Sequence, residues 1–356
     1  MARKKIFEGF VERLEILDQD GKVDEKEMPP LKDAELVALM ESMLKMRLSD
    51  QKALNLQRQG RLNTYGSVRG QEACQAGLAA ALDRSDWLVP SFREHAIMVA
   101  MGVPLRSVYA LWKGDERGNI HPEGVNCLPP AIPVGSQLLH ANGLGMAFKM
   151  KNMKEIAVGF AGDGASSQGD FHEALNFAGV FGSRTLFFIQ NNGWAISVPF
   201  HKQTKADSVA QKGLAYGVPS MQVDGNDVLA VYKASKEAVD HVRSGKGPFL
   251  LECLTYRMEN HTTADDHTKY RDKEEVELWA KRDPVDRMRK YLVSRGLWSE
   301  EKEKEFAGSV AEWIESEVEA LESMEPASVT DVVDFVYSDL PWHLKEEREM
   351  LLKEGN

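Results

Sequence analysis

Cysteine is scarce in this chain, three in 356 residues, and Cys74, Cys127 and Cys253 are scattered without CxxC spacing. Neither a zinc site nor a disulfide framework is indicated, and buried thiols are the expectation. Long apolar runs are missing too. No stretch approaches the roughly 18 residues of a membrane-spanning helix, and the basic start Met1-Ala2-Arg3-Lys4-Lys5 is not followed by the apolar segment of a secretion signal. Positive charge is in deficit: 44 Lys and Arg stand against 55 Asp and Glu, for a net charge of −11, which disfavours nucleic acid or an anionic membrane as the main partner. Local basic patches are still allowed. Internal repeats and low-complexity tracts are absent. The chain reads as a soluble, cytoplasmic protein.

What is present is enough apolar residue, 43% of the chain, to bury a large core as one big α/β domain or two smaller ones. The organising stretch runs from Glu155 to Ser197. Ile156 to Ala161 shows no polar alternation, which suits a strand buried on both faces of a parallel sheet. Phe171, Ala174, Leu175 and Ala178 then fall on one helical stripe over residues 170 to 181, and Asp170 with Glu173 predicts a capping box. Leu186 to Ile189 is a second buried strand. The right-handed βαβ crossover puts Asp163 and Asn192 at the same carboxyl edge of neighbouring strands, where such sheets bind ligands. A carboxylate, an amide oxygen and a nearby main-chain carbonyl, that of Trp194, supply part of an oxygen octahedron, which Mg²⁺ completes with phosphate oxygens and water. Gly164 lets backbone amides approach a diphosphate. Taken alone, Gly162-Asp163-Gly164 and Asn191-Asn192 are ordinary turns. Spaced by the 26 residues from Ala165 to Gln190 across one βαβ unit, they are specific.

In chain order, residues 1–30 are rich in charge, end in Pro29-Pro30 and read as an extended arm. Leu36, Leu39, Met40, Met43, Arg47 and Leu54 mark a long amphipathic helix stopping near Gly60. A helix from Gly70 to Leu82 is crowded with Ala and Gly, which permits close backbone packing. Trp87 to Val89 is a short strand, ending at Phe92-Arg93-Glu94-His95. The planar fork of Arg93 suits a diphosphate, with a surface ion pair as the alternative, while His95 reads as a helix-end or packing residue. A loop of about 22 residues from Gly114 to Gly135 is long enough to line a site or to be disordered. The helix Ser136 to Lys149 follows it. Later, a polar stretch through Lys205 precedes a helix ending near Tyr216-Gly217, Met221 to Val223 is a strand, Asp224 to Asp227 a turn that caps the next helix, and Phe249 to Tyr256 another buried strand. Together they predict an α/β fold, a doubly wound parallel sheet with helices on both faces, and a helical C-terminal region after Lys273. The polar stretch Arg257 to Arg271, directly after a strand, is a second candidate for the functional edge, or a mobile surface loop.

The pairing of GDG with NN resembles the thiamine diphosphate motif. The wording GDGASSQGDFHEALNFAGVF, NNGWAIS, QVDGNDVLAVY and TYRMENHTTADDHTKYR, within a likeness running from about Leu31 to the C-terminus, resembles the α subunit of heterotetrameric 2-oxo acid dehydrogenase E1 components. The resemblance implies a thiamine diphosphate-binding fold holding the diphosphate-binding module. Cofactor binding would fall to Phe92, Arg93, Val134, Gly135, Gly162, Asp163, Gly164, Ala165, Asn192, Arg257 and His261, and Mg²⁺ to Asp163, Asn192 and Trp194. Phe92 stands where the motif often carries Tyr, so a hydroxyl contact is absent, and Gln190 stands where some relatives have Arg. The resemblance makes His261 the active-site histidine, with a pKa expected near neutrality for proton donation. His121 is a candidate to face the substrate, with a solvated loop histidine an equal alternative. Asp265 and Asp266 read as fixing their loop rather than binding metal. Thr262 occupies the place of a regulatory phosphoserine in some relatives.

The implied organisation is an arm (1–30), a cofactor-binding α/β domain (31–272) and a helical packing or interface region (273–356). The implied reaction is oxidative decarboxylation of a 2-oxo acid, pyruvate slightly favoured over branched-chain acids, with transfer of the acyl group to the lipoyl group of an E2 acyltransferase. The cofactor also needs a carboxylic acid against its pyrimidine, and this chain has no second α/β module to present one. A separate E1 β subunit, in an α₂β₂ heterotetramer, is therefore expected. An acetoin dehydrogenase α subunit and a non-catalytic cofactor-binding scaffold are the alternatives.

Overall fold

The computed structural model describes residues 3–354, so Met1 and Ala2 of the arm and Gly355 and Asn356 of the C-terminal region lie outside the described residues. In chain order the strands are β1 (Arg13–Leu14), β2 (Trp87–Val89), β3 (Ala157–Gly162), β4 (Thr185–Asn191), a short antiparallel pair β5 (Trp194–Ala195) and β6 (Val198–Pro199), then β7 (Ser220–Asp224) and β8 (Phe249–Leu254). Six of them form one sheet in the order β1-β7-β8-β4-β3-β2, parallel at every pairing. The runs without polar alternation, β3, β4 and β8, occupy its middle, where both faces are covered and polar side chains would be stranded.

Side chains alternate across the sheet with the two-residue period of a strand. Val158, Phe160, Leu186, Phe188, Leu251 and Cys253 point into one core with the helices Asp33–Arg58, Glu72–Ala81, Val228–Arg243 and Pro284–Ser294. Ala161, Phe187, Ile189 and Leu250 point the other way, onto Phe171, Ala174, Leu175 and Ala178 of the helix Gly169–Phe181 and Leu138 of Ser136–Met150. This is the doubly wound arrangement, with helices on both faces. The Ala and Gly crowding of Glu72–Ala81 has its expected consequence: a Cβ at Gly77 would lie 2.7 Å from Val231 Cγ1 and 2.9 Å from the Tyr232 nitrogen.

Three local expectations change. The helix after the Gly-Asp-Gly turn is not capped by a box at Asp170. A 3₁₀ turn over Asp163–Ser167 carries the chain directly to Gln168, the N-cap, whose side chain makes no capping bond, and Asp170 lies inside the first turn, where its charge still favours the helix N-terminus. The helix expected to end near Tyr216 is a 3₁₀ segment, Ala210–Tyr216, closed by Gly217 in the left-handed conformation. The N-terminal segment, too, joins the sheet. Arg13 and Leu14 pair with Gln222 and Val223, and both the Ile16 and Leu17 amides donate to Asp227 Oδ2 at 2.6 Å. The other oxygen of Asp227 accepts from Leu229 N and Ala230 N as the N-cap of Val228–Arg243. One buried carboxylate thus ties the arm to a core helix.

The C-terminal helix Glu300–Glu322 buries Val310, Ile314, Val318 and Leu321 against Ala53, Leu54 and Tyr109. Beyond it Phe335, Tyr337 and Trp342 are exposed. No described helix is long and apolar enough to cross a membrane.

Candidate active site

Because β3 and β4 are adjacent and parallel, with Gly162 opposite Gln190, the residues that leave their carboxyl ends share one cavity of about 230 Å³. Gly162, Asp163, Gly164, Ala165, Asn192 and Trp194 line it, joined by Phe92, Arg93, Val134, Arg257 and His261 from the β2 end, the long loop and the segment after β8. Gly135 adopts φ +98° and serves as N-cap of Ser136–Met150. His121 is not among the lining residues: it lies in the loop beyond the 3₁₀ turn Glu116–Asn119, with both ring nitrogens buried and unpartnered.

The oxygen donors are grouped. Asp163 is almost fully buried; burial pushes its carboxyl up, opposed by hydrogen bonds from the Gln203 side chain and the Asn192 backbone. The Gln203 amide donates to Asp163 Oδ2 at 2.6 Å. Asn192 Oδ1 accepts only a long bond, 3.4 Å, from Trp194 N, and the Trp194 carbonyl accepts from Arg257 Nη1 at 3.2 Å. Among the described residues no group of three His, Cys, Asp or Glu side chains is gathered to hold a metal. One carboxylate, one amide and one carbonyl suit a hard cation whose other ligands come from outside the protein. Gly164 is required by crowding: a Cβ there would stand 2.7 Å from the Cβ of Ala195 in the β5–β6 hairpin.

Cationic groups face them. Arg93 Nη1 donates to the Ser67 carbonyl at 2.5 Å and Nη2 to the His261 carbonyl at 2.8 Å. Burial, and then the neighbouring Arg257, bring its pKa down to about 10. Arg257 Nη2 holds the Ile196 carbonyl at 2.7 Å, and Ile196 has φ +55°. A left-handed β-branched residue costs on the order of 1–3 kcal/mol, and Arg257 secures it. Gln71 Nε2 and Arg257 Nε are buried without an acceptor among the described residues. Two buried guanidiniums and unpaired N–H donors opposite a cluster of oxygens fit a diphosphate carrying a divalent cation.

His261 departs from expectation. Burial, followed by the charges of Arg93 and Arg257, lowers its pKa from 6.5 to about 4, so the ring is neutral at pH 7 rather than poised near neutrality. Its Nδ1 lies 3.4 Å from Arg93 Nη2 and 3.3 Å from Arg257 Nη1. Both neighbours are obligate donors, so Nδ1 presents its lone pair and Nε2 carries the proton. The Phe92 ring packs edge-on against it at 5.9 Å. Asp265 accepts from His261 N at 2.9 Å and from the Tyr270 hydroxyl, and Asp266 accepts from Thr268, so both acids fix the loop. Thr262 contributes its carbonyl to Asp265 N. His95 accepts from the Trp112 indole at 2.8 Å, a packing role.

Sequence reasoning missed Gln71, Glu94 and Gln203. Glu94 lines the cavity, 2% exposed, and burial raises its pKa to about 7. Its position beside Arg93 was the one available signal. Gln203 lies in a polar stretch without periodicity, and nothing in the sequence marks it.

Residues 40–329 match the dehydrogenase E1 component family. The pyruvate dehydrogenase E1 component subunit alpha of Staphylococcus aureus strain Mu50 is 42% identical over 341 residues, 95% of this chain and 92% of its own length. The same-named subunit of Staphylococcus epidermidis has the same identity and coverage. With four-fifths of its length inside the family match and relatives 42% identical across nearly the whole chain, this chain belongs to the dehydrogenase E1 component family, whose members are thiamine diphosphate-dependent oxidoreductases.

Proposed function

We propose that the chain is the α subunit of a 2-oxo acid dehydrogenase E1 component that binds thiamine diphosphate with Mg²⁺ at the ends of β3 and β4. The reaction is oxidative decarboxylation of a 2-oxo acid with transfer of the acyl group to the lipoyl group of an E2 acyltransferase. One observation carries the reading: Asp163 and Asn192 meet Arg93, Arg257 and His261 in a single cavity. Pyruvate is the favoured substrate, supported by the names of the relatives.

When bound, thiamine diphosphate would supply a nucleophilic carbon and an electron sink for decarboxylation. The chain's own residues do the rest. Asp163, Asn192 and the Trp194 carbonyl hold the cation. Arg93 grips the diphosphate, and Phe92 packs edge-on against the His261 ring. His261 keeps its ring proton on Nε2 and, as a neutral imidazole, donates it as a hydrogen bond to developing negative charge or to the lipoyl sulfur.

A partner completes the site. Among the described residues there are one parallel sheet and one two-stranded hairpin, so no second α/β module is present to bring a carboxylic acid to the far end of the cofactor. We assign that role to an E1 β subunit in an α₂β₂ assembly, with residues 31–272, joined by the β1 strand of the arm, as the cofactor domain and 273–356 as packing and interface. Exposed Phe335, Tyr337 and Trp342 support the interface role. The reading places the complex in the cytoplasm. The test is decarboxylation of a panel of 2-oxo acids and acetoin by the chain alone and with its β partner. Pyruvate turnover by the pair and little by the chain alone is expected. Turnover of acetoin instead would reassign the substrate, and full activity of the chain alone would remove the partner.

A further inference from the structure

Gln190, on β4, lies at the cavity wall and is 2% exposed. Its side chain belongs to a closed ring of hydrogen bonds around the Arg93 peptide. Arg93 N donates to Glu94 Oε2 at 3.0 Å, and Gln190 Nε2 donates to Glu94 Oε1 at 3.0 Å. Gln75 Nε2 donates to Gln190 Oε1 at 3.2 Å and to the Arg93 carbonyl at 2.9 Å. The directions are forced by the backbone. Gln75 Oε1 accepts from Ala96 N and Ile97 N, both at 3.1 Å, so the Gln75 amide must turn its NH₂ toward Arg93 and Gln190. That leaves Gln190 Oε1 as acceptor and its NH₂ facing Glu94. Both polar groups of the Arg93 peptide are thereby clamped, its N–H through Glu94 and its carbonyl through Gln75, and Gln190 joins the two clamps.

We propose that Gln190 is a positioning residue for the diphosphate site: it fixes the Arg93 peptide through Glu94 and Gln75, and acts on the ligand through Arg93. The proposal rests on the cofactor reading above. Gln190 itself is held by the sheet, since β4 is flanked by β3 and β8 and Gln190 sits opposite Gly162 and Cys253. The ring therefore transmits the rigidity of the central strand to a guanidinium on the loop after β2. A buried ring in which every member is paired rigidifies its site, whereas one broken corner leaves donors facing donors.

Two variants break different corners. Gln190→Met keeps the volume and removes both bonds. Glu94→Gln keeps the shape, but an amide cannot accept from both Arg93 N and Gln190 Nε2. It also takes negative charge off the cavity wall, which by electrostatics alone would strengthen an anion, so the ring and the charge predict opposite signs. The measurement is calorimetric titration of thiamine diphosphate, and separately of inorganic diphosphate, into the full-length chain assembled with its partner subunit, at pH 8 with Mg²⁺ and with melting temperatures recorded. Each variant is expected to bind both ligands about tenfold more weakly, the order of one buried hydrogen-bond arrangement. In an Arg93→Met background, Gln190→Met is expected to cost no more than about twofold, since its route to the ligand is already gone. An unchanged affinity in either variant, tighter binding by Glu94→Gln, or an undiminished loss in the Arg93→Met background would overturn the proposal. Wild-type protein that binds neither ligand would instead overturn the cofactor reading beneath it.

Discussion

Arg93 Nη2 donates to the main-chain oxygen of His261 at 2.8 Å across 168 residues of sequence. The candidate phosphate-gripping cation and the candidate proton donor are thus held by one bond, and the charge of the first acts on the second. With Arg257 facing the same ring nitrogen, His261 works in a field that disfavours its protonated form.

Burial and this field predict the titration of the free protein. The folded-state pKa of about 4 lies below the ordinary 6.5, so the ring stays neutral from pH 7 down to near 4. The unfolded chain takes up the proton first, and the His261 contribution to stability, present above about 6.5, is lost as the pH falls through 4. NMR of the His261 ring should show a midpoint near 4. It should rise in Arg93→Met and on adding inorganic diphosphate, which offsets the two guanidiniums. A midpoint near 6.5 in the free protein, unmoved by either change, would refute the coupling.

Loss of the imidazole should separate binding from catalysis. His261→Ala is expected to retain most cofactor affinity while losing activity by roughly 10²–10³-fold, the usual cost of removing one hydrogen-bond donor to developing negative charge. Decarboxylation and reductive acylation, measured separately in the complex with its β partner, show which step needs the proton. Wild-type rates for both would leave His261 a loop residue.

Asp227 carries a stability prediction. Its carboxylate accepts from Ile16, Leu17, Leu229 and Ala230 amides, so Asp227→Ala removes a helix cap and strands two buried donors of the arm. A loss of about 2–4 kcal/mol in chemical denaturation is expected. Deleting residues 3–17 should cause a comparable loss, which the alanine variant should not deepen by much.

How much of this was legible in the sequence depends on the range of the interaction. Ile156 to Ala161 and Leu186 to Ile189 announce buried strands by their own lack of alternation, and the handedness of the crossover then puts Asp163 beside Asn192 without further information. The two-residue strand Arg13–Leu14 has no such pattern; it exists because β7 offers an edge and Asp227 takes the next two amides. The ring of Gln75, Glu94 and Gln190 joins residues up to 115 positions apart, and no periodicity marks glutamines that meet only in the folded chain. The neutral state of His261 has the same origin, because it depends on two arginines brought from different elements.

The central claim is that the ends of β3 and β4 hold a diphosphate through a divalent cation. The most direct measurement is calorimetric titration of thiamine diphosphate into the assembled protein with Mg²⁺, with EDTA, and in the Asp163→Ala and Asn192→Ala variants. The account predicts saturable binding with Mg²⁺, its loss in EDTA, and affinity falling at least about 100-fold in Asp163→Ala, as expected when a buried charged ligand is removed, with Asn192→Ala weakened similarly. Undiminished, cation-independent binding by Asp163→Ala would contradict it.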